Sequence, residues 1–114
     1  MIQQTQNIDV RDWFDQDLQR KILQCLSVFF PQQVSFSTIV NQLNIAISFE
    51  FKLDKNLRYL IGHNLVSYCG DMFEYGRGYT PQFQITSIGI DNVINSADNF
   101  YSNIVLTTSL VPSR

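Results

Sequence analysis

The chain has 114 residues, 45% of them hydrophobic, which fits one compact domain and is short for a two-domain enzyme. Eight Lys and Arg against ten Asp and Glu give a net charge of −2, so there is no overall attraction for nucleic acid, and any DNA contact must rest on local charge. With 13% aromatic and only 16% charged residues the composition excludes a disordered tail, and no apolar run approaches the roughly 20 residues of a membrane span.

Neither a signal peptide nor a membrane partner is expected. Cys25 and Cys69 lie in unrelated segments beside a single His, so no zinc site, disulfide framework or other cofactor is indicated and a cytoplasmic setting is expected.

In chain order, residues 1–14 start polar and then carry Ile8, Val10, Trp13 and Phe14, a segment able to lie over the domain. From Asp15 the apolar residues Leu18, Ile22, Leu23, Leu26, Phe29 and Phe30 recur at three- and four-residue spacing, which predicts a first helix stopped by Pro31. Ser35 or Ser37 caps a second helix over about 36–43. A turn over 44–47 leads to Ser48 as the cap of a third helix reaching about His63, with Phe49, Leu53, Leu57 and Leu60 as its buried stripe and Asn64 as its left-handed stop. Short β-prone stretches at 66–69, 72–75 and 82–85, broken by Gly70, Gly76, Gly78 and Pro81, predict a hairpin with a glycine-rich tip. Thr86 then opens a fourth helix through Ile88, Ile90, Val93 and Ile94, ending in the polar residues 95–99. The last five residues, Leu110 to Arg114, nearly match a protease-site tag remnant and carry no functional weight.

Two stretches, LDKNLRYLIGHNLV at 53–66 and FQITSIGIDNV at 83–93, resemble the winged helix-turn-helix family. The first is similar to its recognition helix running into a strand, with Asn64 where the family commonly has Gly; the second is similar to its last strand running into a fourth helix. The resemblance covers about 18–94 and implies an α+β fold: a three-helix core, a β-hairpin wing and a C-terminal helix. On that basis residues 1–14 are an extension, 15–98 the winged-helix domain and 99–114 a tail. Such domains act as DNA readers, dimerisation modules or protein-docking domains, so the fold leaves the function open.

At about 100° per residue, Lys52, Lys55 and Arg58 fall opposite the leucine stripe of the third helix, together with Phe51 and Tyr59. In DNA-binding members this helix enters the major groove, which implies phosphate contacts for Lys52, Lys55 and Arg58 and base contacts for Asn56 or Tyr59. Arg77, between Gly76 and Gly78, stands at the expected wing tip beside Tyr75 and Tyr79, where the resemblance implies contact with a phosphate or a narrow minor groove. Against this, residues 45–80 hold four basic and four acidic side chains, a charged stripe is often only a solvated face, and Glu50 and Asp54 would repel phosphate.

The first functional reading is a small regulator that binds double-stranded DNA; the alternative is a protein-interaction module, an adaptor or inhibitor of phage or plasmid type, that uses Phe51 and Tyr59. Phe51 meets either a partner or the segment with Trp13 and Phe14. The apolar residues of the fourth helix and the tail, among them Ile88, Val93, Ile94, Phe100, Tyr101, Ile104, Val105 and Leu106, serve either a homodimer or the chain's own core. Cys25, Cys69 and the lone His63 read as structural, and no enzyme activity is expected.

Overall fold

The computed structural model describes residues 12–104, the side chains of 96–104 excepted. In chain order the elements are α1 (Gln16–Phe29), β1 (Val34–Ser35), α2 (Phe36–Leu43), a 3-10 turn (Ile47–Phe49), α3 (Glu50–Gly62), β2 (Val66–Cys69), β3 (Gln82–Ile85) and α4 (Ser87–Ile104). The expected order of three helices, hairpin and helix is present, with one added strand.

Asp15 starts α1 by accepting from the N–H groups of Asp17 and Leu18, which satisfies two donors that have no partner inside the helix. The Leu18 N–H, aided by Lys52 and opposed by burial, holds the Asp15 carboxyl below its ordinary range. Between the two serines it is Ser35 that caps α2, accepting from Thr38 N–H at 3.2 Å. Asn44 ends α2 in the left-handed region, and Asn64 adopts the same region just after α3.

Ser48 does not cap α3. It lies inside the 3-10 turn, where Phe49 N–H already bonds Ala46 C=O, and α3 begins without a side-chain cap. The tighter winding also carries Phe49 off the buried stripe, so it is exposed while Leu53, Leu57 and Leu60 are buried.

The sheet is antiparallel in the order β1-β3-β2, with Val66 opposite Ile85 and Cys69 opposite Gln82 in the hairpin, and Val34 opposite Phe83 on the other side of β3. At two residues β1 is too short to leave a period in the sequence. Residues 72–75, expected to be β-like, form no strand; side chains hold them against α3 instead. Gly70 opens this loop at φ +101, and a Cβ there would stand 2.8 Å from Thr80 O. The core joins Ile22, Leu23 and Leu26 of α1 to Ile39, to the α3 leucines and to Val34, Val66, Phe83 and Ile85 of the sheet.

Thr86 caps α4, its Oγ1 accepting from Gly89 N–H at 3.0 Å. The helix runs on to Ile104 rather than ending at 95–99, because those Asn, Ser, Ala and Asp residues include neither Gly nor Pro and weaken a helix only slightly. Ile90 and Val93 pack on the core, whereas Ile88 and Ile94 are exposed. Ile8, Val10, Val105, Leu106 and the final five residues lie outside the described residues. Cys25 is half-buried and burial pushes its thiol up, while Cys69, also read as structural, is exposed. No described helix is long and apolar enough to cross a membrane.

Candidate nucleic-acid interface

The outward face of α3 and the loop 70–81 form one surface. Along α3, Glu50, Asp54 and Arg58 are spaced four apart and therefore share a ridge, and that ridge faces the loop. The Tyr75 hydroxyl donates to Glu50 Oε1 at 2.6 Å, and the Tyr79 hydroxyl donates to Asp54 Oδ1. Arg58 Nε donates to both Asp54 oxygens at 3.2 and 3.0 Å, and its Nη2 donates to Phe73 C=O at 2.9 Å. Burial, then the hydrogen bond to Glu50, pushes the Tyr75 phenol up to about 12; burial and Asp54 push Tyr79 up as well.

The two acids read as phosphate-repelling are therefore occupied. Asp54 is buried and neutralised by Arg58, and Glu50 accepts from Tyr75. The sequence reading missed these pairings, since partners 25 residues apart leave no local pattern; the four-residue spacing of 50, 54 and 58 was the available signal.

Asn56 requires a correction. It is 0% exposed and faces away from the surface, so it cannot approach a base. Its Nδ2 donates to Trp13 C=O at 2.7 Å and Lys52 C=O at 2.8 Å, while Oδ1 accepts from Asp15 N–H at 3.1 Å and Gln19 Nε2 at 2.8 Å. Its four-residue step to Leu60 and three-residue step from Leu53 place it beside the buried stripe, a signal present in the sequence.

The cations stand in different states. Lys52 pairs with Asp15 at 3.5 Å and is mostly covered. Lys55 lies over the rings of Trp13 and Phe51 at 5.2 and 4.9 Å, and no carboxylate pairs with it among the described residues. Arg77, at the loop tip, makes a loose 3.9 Å pair with Glu74, both side chains being 78% exposed. Phe51 packs edge-on against Trp13 at 5.6 Å yet stays 46% exposed, and Tyr59 packs between Phe14 and His63. A shallow groove of about 420 Å³ between α3 and the loop is lined by Phe51, Lys55, Arg58, Met72, Phe73 and Tyr75, with Asp54 and Glu74. Among the described residues no group of three His, Cys, Asp or Glu side chains gathers as a metal site.

No family model matches the sequence, and no curated protein is significantly similar to it. The crystal structure of the adhesin competence repressor (AdcR) from Streptococcus pyogenes is similar in fold, with a TM-score of 0.57 and 14% identity over 97% of this chain and 73% of that one. Three helices closing on a small antiparallel sheet, a hairpin loop laid beside the third helix, a fourth helix after it and this likeness together show that the chain has the winged helix-turn-helix fold.

Proposed function

We propose that the protein is a cytoplasmic winged-helix transcriptional regulator that binds double-stranded DNA through the outward face of α3 and the tip of the wing, with residues 15–98 as the binding unit. One observation carries this reading: α3 and the wing form one surface that bears Lys55, with no carboxylate partner among the described residues, and Arg77 at its tip, held only by the exposed 3.9 Å pair with Glu74. Their ammonium and guanidinium groups are the ones able to exchange weak internal partners for phosphate oxygens. Lys52 adds to the field from the edge, and the part-exposed Tyr59 stands one turn beyond Lys55 on α3. The solved structure it resembles is described as a repressor, which supports the regulatory reading. A homodimer through α4 and the tail would present two such surfaces to two half-sites; the run of α4 past the core to Ile104 supports it.

A second reading, a protein-docking module, draws on the exposed Phe51 and Phe73 lining the groove beside α3. Fluorescence anisotropy of a labelled random duplex separates the two. Under the DNA reading the protein binds at low salt, binding weakens at physiological salt, and the Lys55→Glu, Arg77→Glu variant loses it while keeping its helical circular dichroism. No binding at low salt, or equal binding by the variant, refutes the assignment and favours the docking module.

A further inference from the structure

We propose that Arg58 is a positioning residue and not a phosphate contact: with Asp54 it latches the wing to α3 and so fixes where Arg77 stands relative to the face of that helix. The latch half of this proposal stands on the contacts alone, while the phosphate half rests on the DNA-binding reading above.

The ridge of Glu50, Asp54 and Arg58 reaches the wing at three separated points, Tyr75, Tyr79 and the Phe73 carbonyl. Three anchors spread over seven residues hold the loop's path without strand pairing at 72–75. Asp54 is the hub. Its buried carboxylate accepts the one Arg58 Nε–H, shared between its two oxygens, and the Tyr79 hydroxyl, and a buried carboxylate stripped of those donors is costly. Arg58 meanwhile spends Nε on Asp54 and Nη2 on Phe73 C=O, with its guanidinium 5.8 Å from the Tyr79 ring. Turning it toward a phosphate would break the charge-assisted bonds that hold the loop, so the fixed fork of the guanidinium serves the wing.

Arg77 supplies a direct test, since trypsin cuts after it and its exposed side chain lies at the loop tip between the Tyr75 and Tyr79 anchors. Limited proteolysis of the full chain compares the cut after Arg77 with cuts after Arg20 and Lys21 in α1, which report global unfolding. In Arg58→Gln, which removes both the Asp54 pair and the bond to Phe73 C=O, the Arg77 cut is expected to quicken at least about tenfold, the change that follows from losing even one charge-assisted hydrogen bond, with the α1 cuts unchanged. Tyr79→Phe, which removes one hydroxyl from the same hub, is expected to quicken it less; this variant decides the matter if Arg58→Gln accelerates every cut alike. An unchanged rate after Arg77 in Tyr79→Phe and Arg58→Gln overturns the latch.

A double-mutant cycle on duplex affinity tests the phosphate half. If Arg58 acts through Arg77, then Arg58→Gln adds no further loss in an Arg77→Gln background. Additive losses would make Arg58 a separate phosphate contact and overturn that half. A wild-type protein that binds no duplex refutes the DNA-binding reading and the phosphate half together, while the proteolysis still judges the latch.

Discussion

Asn56 commits both ends of its amide to groups from outside α3, joining that helix to the entry of α1. Asn56→Ala strands the partly buried Asp15 N–H and Trp13 carbonyl, and since a fully buried polar group left without a partner costs about 1–3 kcal/mol, each should cost up to that amount. The urea midpoint should therefore fall clearly; an unchanged midpoint would mean that the amide network adds nothing. The wing phenols give a second expectation. With Tyr75 raised from 10.0 to about 12 and Tyr79 raised too, the folded state favours the protonated phenols. The Tyr75 contribution is whole below pH 10 and is lost as pH rises through about 12, and that of Tyr79 persists higher still, because the unfolded chain releases those protons first. Alkaline titration followed by tyrosinate absorbance should show two phenols ionising late, together with unfolding. Tyr75 and Tyr79 ionising at the ordinary value would contradict the Glu50 and Asp54 bonds.

Elements were legible wherever a local rule decides them. The leucine stripe of α3, the caps at Ser35 and Thr86 and the left-handed Asn64 all depend on residues within four positions of one another. Features made by distant partners were not legible: β1 exists only because β3 offers Val34 and Ser35 an edge, and the loop 72–75 follows α3 through side chains far away in sequence. The uncapped start of α3 escaped for another reason, since a 3-10 turn and a capped α-helix look alike over three residues. Gly89 tests how closely α4 sits on the sheet. A Cβ there would lie 2.3 Å from Leu65 O and 2.6 Å from Ile85 Cγ1, so Gly89→Ala should destabilise by about 1–3 kcal/mol, an overpacking cost. Gly62, near the end of α3, has nothing within 4 Å of its added Cβ, and Gly62→Ala should be neutral or stabilise by up to about 1 kcal/mol. Thermal unfolding of the two variants reads opposite signs if this packing is right, and a harmless Gly89→Ala would refute it.

At the scale of the whole molecule, the net charge of −2 and the balanced charges of α3 and the wing leave few cations for DNA. With Asn56 buried, Lys52 paired and Arg58 engaged by Asp54, the sequence-derived surface narrows to Lys55 and Arg77, flanked by Phe51 and Tyr59. Affinity should accordingly be modest and depend on a small number of phosphates. The most direct measurement is the slope of log affinity against log salt concentration for a labelled duplex, taken for the wild type and for Lys55→Gln and Arg77→Gln separately. Each lost phosphate contact should reduce the magnitude of that slope by about 0.9, so both variants should be shallower than the wild type. Slopes unchanged in both variants, or a wild-type protein with no measurable affinity at low salt, would contradict DNA binding through this surface.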